Sequence, residues 1–204
     1  MKKLVTISRE FGSGGRIIGK LLAEKLGVPF YDKEIIEIAA EESGFSKELM
    51  ETAELKAKNS FAYSLSSVTN FSDGIGANMI SVNERLFLAQ FKVIKEIGEK
   101  GEGVIVGRCA DYVLKDLAGV TNAFIYGEHG DRVKRAVEKY GVDRDKAEEL
   151  VASYDKAREN YYNYHTCRKW GDYRNYNLSI DSSYISEEEA ALLIADYVER
   201  RIYR

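Results

Sequence analysis

The stretch Lys3-Leu4-Val5-Thr6-Ile7-Ser8-Arg9-Glu10-Phe11-Gly12-Ser13-Gly14-Gly15-Arg16 decides the fold. Residues 4–8 are apolar and rich in β-branched side chains, which predicts a short buried strand. Glycines follow at positions 12, 14, 15 and 19, and apolar residues then recur with helical spacing up to Leu26. Gly27 stands where the C-cap of such a helix is expected. The pattern therefore predicts a strand, a glycine loop and a helix in direct succession.

Short apolar segments alternate with helical patterns along the rest of the chain. Further strands are predicted at residues 28–31, 104–106, 123–126 and 178–180. Helices are predicted from residue 35, over residues 81–100, 131–140 and 143–164, and after the capping box of Ser186 and Glu189. Such alternation is typical of a parallel sheet covered on both faces. We therefore expect an α/β fold, a parallel sheet of about five strands flanked by helices, in one domain spanning residues 1–204.

The composition limits the classes of partner. A net charge of -3 provides no overall positive field for a nucleic-acid polymer, so any anion site must be local. The apolar runs are too short to span a bilayer. The two cysteines, Cys109 and Cys167, match no metal-ligand spacing and make no disulfide framework. We expect a cytoplasmic protein with no nucleic-acid polymer or membrane as partner and no metal site built from its own side chains.

The glycine loop has the properties of an anion cradle. Its glycines allow tight bends, and its backbone N–H groups and the positive end of the following helix favour phosphate. The standard phosphate-loop signature is incomplete, because Gly15 stands in the lysine position. Moving the register by one residue puts Arg16 there and Ile17 at the Mg²⁺-binding hydroxyl position. The predicted phosphate-binding residues are Gly12, Ser13, Gly14, Gly15 and Arg16, and the alternative is a tight turn without a ligand.

Polar residues follow several of the predicted strands. Asp32 comes after the second strand, and Gly107 and Arg108 come after the third, while later strands end at Tyr126 and Asp181. Ligands of open α/β sheets bind at the carboxyl ends of the strands. The sequence therefore predicts a ligand site at this edge of the sheet.

Four segments of the chain resemble the cytidylate kinase-like family and together reach nearly from end to end. They are Ile7-Ser8-Arg9-Glu10-Phe11-Gly12-Ser13-Gly14-Gly15-Arg16 continuing to Gly27, Pro29-Phe30-Tyr31-Asp32-Lys33-Glu34, Val104-Ile105-Val106-Gly107-Arg108-Cys109-Ala110-Asp111, and a segment from Arg158 through Tyr161 and Trp170 to Ser183. The resemblance implies a P-loop nucleoside monophosphate kinase-like fold with a lid. The lid-like segment would span about residues 143–176, and a mobile acceptor-side insertion about residues 40–80.

The resemblance also implies an activity, namely phosphoryl transfer from ATP to CMP or dCMP with Mg²⁺. It assigns acceptor binding to Asp32 and Arg108. Lys33 is a further candidate for the acceptor phosphate, and its alternative is a solvated surface lysine. The resemblance assigns screening of the transferred phosphoryl group to Arg132, Arg135 and Arg158, with Arg16 as the substitute for the lysine. Mg²⁺ would be held mainly by phosphates and water, and Asp32 is the carboxylate considered for it.

Two positions depart from the family pattern, and several arginines have a second interpretation. Cys109 stands where the family has an aspartate, and Ile38 stands where an acceptor-phosphate arginine is expected, which puts CMP in doubt. Arg108 is alternatively a surface salt-bridge residue. Arg132 and Arg135 alternatively lie on a solvated helix face.

The stretch of residues 161–176 is rich in aromatic and basic side chains. Stacking surfaces beside cations suit a lid that closes on a nucleotide. A small satellite core or a dimer contact is the structural alternative. Three functions follow as hypotheses: an ATP-dependent kinase acting on a small nucleotide, a nucleotide-binding regulatory protein without turnover, and a self-associating domain that depends on Trp170.

Overall fold

The computed structural model of the protein describes residues 3–43 and 82–202. Its centre is a five-stranded sheet in which all neighbouring strands run parallel, in the order β2-β3-β1-β4-β5. The strands are β1 (Lys3–Arg9), β2 (Phe30–Tyr31), β3 (Glu102–Val106), β4 (Val120–Tyr126) and β5 (Leu178–Asp181). This confirms the predicted fold class and strand number. Residues 44–80 of the predicted insertion lie outside the described residues.

Helices cover both faces of the sheet. They are α1 (Gly15–Leu26), α2 (Glu34–Ser43), α3 (Val82–Lys100), α4 (Ala110–Val113), α5 (His129–Tyr140), α6 (Ala147–Thr166) and α7 (Glu187–Ile202). Successive side chains of a strand point to opposite faces. On β1, Val5 and Ile7 therefore join the apolar cluster with α1 and α7, whereas Leu4 joins the cluster with α2, α3 and α4. None of the helices within residues 3–43 and 82–202 is long and apolar enough to cross a membrane.

The local signals mark the helix ends well and the strand ends less well. Gly27 caps α1 at a φ of +65°, and Ser186 and Glu189 exchange the two hydrogen bonds of a capping box before α7. Strand β2 is only two residues long, because it is an edge strand and Pro29 offers a carbonyl but no N–H. The predicted helix over residues 143–164 begins as a 3₁₀ turn at Arg144–Lys146, and its α-helical part starts at Ala147.

Aromatic side chains of residues 161–176 form two small clusters outside the main core. Trp170 lies edge-on to Phe124, with ring centroids 5.5 Å apart, and Tyr176 lies 5.0 Å from the same ring. His165 stacks on Phe87 of α3 at 4.0 Å. These contacts match the satellite-core interpretation, while self-association stays a prediction.

The stacked ring of His165 makes stability sensitive to pH. Burial lowers the pKa of His165 to about 4, and Glu84 opposes this shift. Its contribution to stability is complete above pH 6.5 and is lost as pH falls towards 4, because the unfolded chain binds the proton more readily. A His165→Phe variant keeps the stack on Phe87 but binds no proton. When the pH is lowered from 7 to 5, we expect its free energy of unfolding to fall by about 1 kcal/mol less than that of wild type. The expected difference is no larger because the His165 ring is only partly buried. Urea unfolding at both pH values measures this difference, and equal losses in the two proteins would contradict it.

Candidate functional site

The glycine loop lies at the carboxyl edge of the sheet, between the end of β1 and the start of α1. Gly12 and Gly14 have φ values of +81° and +80°, a region that only glycine adopts without strain. The Glu10 N–H donates to the Ile125 carbonyl of β4 at 3.0 Å, which fastens the loop to the sheet. The Ser13 hydroxyl donates to the Glu10 carbonyl at 2.9 Å. The loop is thus a tight, internally bonded turn in front of a helix N-terminus.

Two arginines of α5 hold the loop by its carbonyl oxygens. Arg132 is only 8% exposed and donates to the carbonyls of Phe11 at 3.1 Å and Gly127 at 3.0 Å. Arg135 donates to the Gly12 carbonyl at 2.7 Å. The interpretation of Arg132 as a residue on a solvated helix face is therefore wrong. The role of both arginines in phosphoryl transfer stays a prediction, because the observed contacts anchor the loop.

Acidic side chains balance these two arginines. Asp155 and Glu10 lie 2.5 Å and 3.2 Å from Arg132, and Glu187 lies 3.4 Å from Arg135. Burial raises the pKa of Glu10, although the charge of Arg132 acts in the opposite direction. The loop is therefore enclosed by a network of buried and half-buried charges.

Helix α6, within the predicted lid-like segment, contacts the loop directly. Asp155 accepts a hydrogen bond from the Phe11 N–H at 2.7 Å, and Tyr154 stacks on the Phe11 ring at 4.4 Å. Arg158, 25% exposed in its side chain, donates to the Arg9 carbonyl at 3.3 Å. Desolvation lowers the pKa of Arg158, and Asp155 counteracts the shift. The loop and α6 therefore form one packed unit.

The structure brings a predicted phosphate-binding residue and a predicted acceptor-binding residue together. Arg16 donates through Nε to Asp32 Oδ2 at 2.6 Å. Asp32 is buried at the end of β2, and its other carboxylate oxygen lies 3.8 Å from Nη2 of Arg9. Lys33 is exposed beside it. Arg16 therefore extends from the loop towards the predicted acceptor side.

Three consecutive residues after β3 have left-handed backbone conformations. Gly107, Arg108 and Cys109 have φ values of +79°, +59° and +54°. Such conformations cost non-glycine residues roughly 1–2 kcal/mol each and are concentrated at functional sites. Burial raises the pKa of the Cys109 thiol, which favours its protonated form.

A cleft opens between this turn, the end of β1 and helix α6. Its lining combines basic and aromatic side chains with the backbone of the turn: Ser8, Arg9, Gly107, Arg108, Cys109, Arg158, Tyr161, Tyr162 and Trp170. At its base, Tyr162 donates its hydroxyl to buried Asp111 at 2.6 Å. Guanidinium groups bind phosphate or carboxylate oxygens in pairs, and aromatic rings accept a planar group. The cleft suits a small anion that carries a ring.

A family model described as the cytidylate kinase-like family matches residues 4–184. The chain belongs to the cytidylate kinase-like family. No curated protein is similar enough to match it. The matched residues include the glycine loop, the turn after β3 and the cleft-lining part of α6, so the candidate site lies within the family region.

Solved structures place this cytidylate kinase-like protein among folds of known kinases. An uncharacterized protein from Eubacterium ventriosum ATCC 27560 is 29% identical over 97% of this chain and 99% of its own, with a TM-score of 0.71. Shikimate kinase from Bacteroides thetaiotaomicron is 13% identical over 98% and 99% of the two chains, with a TM-score of 0.59. A gluconokinase from Sinorhizobium meliloti 1021 is 14% identical over 99% and 96%, with a TM-score of 0.52. The two kinases share the fold with this protein, which confirms the expected P-loop kinase architecture.

The protein side chains near the loop do not fit a directly bound Mg²⁺. Asp32 already pairs with Arg16 at 2.6 Å, so its charge is neutralised by a partner. Among the residues that the structure describes, no three His, Cys, Asp or Glu side chains converge as a metal site.

Sequence reasoning missed several residues of the site. Arg9 lines the cleft, Asp155 accepts from the loop, and Tyr162 bonds to Asp111. No local pattern marks Asp155 or Tyr162, because their partners are far away along the chain. For Arg9 a signal existed, since an arginine directly after a buried first strand lies at the edge where ligands bind.

Proposed function

We propose that this protein transfers the γ-phosphoryl group of ATP to a small acceptor, a nucleoside monophosphate such as CMP or dCMP. The observation that carries the proposal is the glycine loop at the N-terminus of α1, which adjoins a cleft lined by Arg9, Arg108 and Arg158. Family membership over residues 4–184 supports the same chemistry.

The proposed chemistry needs positive charge and alignment more than it needs a covalent catalyst. The phosphates of ATP lie along Gly12, Ser13, Gly14, Gly15 and Arg16. An oxygen of the acceptor phosphate forms a bond to the γ-phosphorus, while the bond from that phosphorus to the β–γ bridging oxygen breaks and ADP leaves. Arg158 supplies charge to the transferred oxygens, and Arg132 and Arg135 act by holding the loop in place. Mg²⁺ would be held by the nucleotide phosphates and water, and would neutralise negative charge on the phosphates.

The acceptor lies on the other side of the cleft in this proposal. Arg108 and Lys33 attract its phosphate, and Tyr161 and Trp170 flank its base. Asp32 orients Arg16 between the donor and acceptor sides, which is supported by the 2.6 Å ion pair. Ile38 stands where the family pattern has an arginine for the acceptor phosphate. Binding of that phosphate therefore depends on Arg108 more than the family pattern implies.

Nucleotide binding without turnover is the second candidate function. Two observations favour it: Gly15 stands in the lysine position, and neither Arg16 nor Ile17 offers a hydroxyl for Mg²⁺. A regulatory protein of this kind binds ATP equally well with and without Mg²⁺ and forms no ADP.

Thermal unfolding with nucleotides tests the proposal first. A ligand present at a hundred times its Kd stabilises the folded state by about 2.7 kcal/mol. For a domain of this size the Tm should rise on the order of 5 °C. We expect ATP with Mg²⁺ to raise the Tm, CMP or dCMP to add to it, and the mixture to form ADP and a nucleoside diphosphate.

Three outcomes of this experiment are distinguishable. A Tm shift with ATP and no ADP formation with any of the monophosphates supports the regulatory candidate. ADP formation with a different acceptor keeps the phosphoryl transfer and replaces CMP. An unchanged Tm with every nucleoside triphosphate and monophosphate contradicts both candidates.

A further inference from the structure

We propose that Arg9 replaces the lysine that the glycine loop lacks, and that its guanidinium binds the terminal phosphates of the nucleotide. The inference rests on the proposed function, because it assigns a residue to the same phosphate site. Arg9 is the last residue of β1 and directly precedes the glycine loop, whereas the lysine of the standard signature stands at the other end of the loop.

The space around Gly15 links Arg9 to the missing lysine. Gly15 does not have a positive φ, so its backbone conformation would admit a side chain. A Cβ at this position, however, would lie 2.6 Å from Cβ and 2.9 Å from Cγ of Arg9. Real Cβ atoms essentially never approach other atoms so closely. The Cβ and Cγ atoms of Arg9 therefore occupy the space that the Cβ of a lysine at position 15 would need, so the two side chains exclude each other.

Gly107 is the second glycine whose missing side chain leaves room for Arg9, in this case for its guanidinium. A Cβ on Gly107 would collide with Nη1 of Arg9, so the side chain crosses the end of β3 where that Cβ is missing. Its Nη2 then lies 3.8 Å from Asp32, at the end of β2. Arg9 thus runs along the carboxyl edge of three strands, from the glycine loop to the cleft, and keeps 20% of its side chain exposed.

The other arginines near the loop are placed for different contacts. Arg16 pairs with Asp32 at 2.6 Å and has 59% of its side chain exposed. Arg132 and Arg135 donate to loop carbonyls. Arg158 reaches the loop from α6 and donates to the carbonyl of Arg9 itself. Arg9 lines the cleft together with Arg108 and Arg158, and of these three it is the one that directly precedes the glycine loop in the chain. Its planar guanidinium can bind two phosphate oxygens at once.

Affinities for ATP and AMP in the full-length Arg9→Gln variant test the inference. AMP lacks the β- and γ-phosphates, so a residue that acts as the lysine affects ATP and leaves AMP nearly unchanged. We expect Arg9→Gln to weaken ATP binding about 10- to 100-fold. Arg9→Lys is expected to fall between this variant and wild type. Arg200→Gln removes an exposed arginine of α7 that pairs with Asp196, and serves as the charge-matched control.

Moving the basic side chain from position 9 to position 15 tests whether a specific phosphate contact, and not only the total charge, determines ATP affinity. Gly15→Lys alone should weaken ATP binding and stability, because the new stem collides with Arg9. The double variant Arg9→Gly/Gly15→Lys should bind ATP more tightly than Arg9→Gly alone, which is a non-additive result. Thermal unfolding of each variant without nucleotide reports whether the fold is intact.

The outcomes distinguish this inference from the proposed function. If wild type binds ATP and Arg9→Gln binds it equally well, Arg9 does not replace the lysine, while the proposed function stands. An equal loss of ATP and AMP binding in Arg9→Gln also overturns the inference. Wild-type protein that binds no nucleoside triphosphate contradicts the proposed function and the inference together.

Discussion

Replacement of Arg132 by methionine is expected to lower the free energy of unfolding by about 3–5 kcal/mol, because it breaks a buried ion-pair network and leaves unpaired charges behind. Arg132 is 8% exposed and lies 2.5 Å from Asp155 and 3.2 Å from Glu10. It also donates to two backbone carbonyls, which lose a partner in the variant. Methionine keeps much of the side-chain volume, so the loss reports charge and hydrogen bonding rather than a cavity.

Urea unfolding at neutral pH measures this effect, with Arg200→Met as the matched control. Arg200 forms an exposed pair with Asp196 one helical turn away, and such pairs contribute about 0.3–0.5 kcal/mol. A loss below about 1 kcal/mol for Arg132→Met would show that the network contributes no more than an ordinary surface pair.

Replacement of Gly12 by alanine is expected to cost about 2–5 kcal/mol, from backbone strain at a positive φ and from a collision with backbone. The φ of Gly12 is +81°, and a Cβ there would overlap the carbonyl oxygen of Arg132. Backbone cannot move aside as the end of a flexible side chain can. The loop must therefore shift away from α5, and nucleotide affinity should fall with stability.

Gly27→Ala is a control in which the new Cβ causes backbone strain at a positive φ but collides with no other atom. Gly27 has a φ of +65°, and a Cβ there would meet nothing within 4 Å. This variant should lose only about 1–2 kcal/mol. Urea unfolding of both variants gives the difference, which measures the close approach of loop and helix. Equal losses in the two variants would mean that the loop relaxes without cost.

The contacts of the loop explain why these two effects are expected to be large. The glycine loop depends on distant parts of the chain for its shape, because α5 binds its carbonyls and α6 accepts its Phe11 N–H. The stability of the fold and the geometry of the proposed phosphate site therefore rest on the same hydrogen bonds. Substitutions in α5 or α6 should change nucleotide affinity even when the substituted residue does not contact the nucleotide.

Local patterns predicted most of the fold. The strand, glycine loop and helix of residues 3–26, the C-cap at Gly27 and the capping box before α7 are all present in the structure. The order of the strands was not predicted, since pairing in a parallel sheet joins segments that are far apart in sequence. The four-residue helix α4 was missed because it follows left-handed residues that have no local signature.

The candidate site was predicted in outline and differs in its details. Its position at the carboxyl ends of β1, β2 and β3 agrees with the expectation from the sequence. Arg108 and Arg158 line the cleft, and Asp32 is joined by Arg16, while the functions assigned to these residues stay predictions. Arg9, however, was not predicted as a site residue, although its position at the end of the first strand offered a signal. Its path past Gly15 and Gly107 is visible only in the tertiary structure.

The sequence by itself determined the local elements, the α/β class and the family resemblance, because hydrophobic period, glycine spacing and capping are relations between close neighbours. Only the tertiary structure decided which groups each arginine contacts. The partners are separated by 123 residues for Arg135 and Gly12 and by 149 for Arg158 and Arg9. An arginine has the same charge in any sequence context, and its role depends on which carbonyl, carboxylate or open space the packed chain brings within its reach.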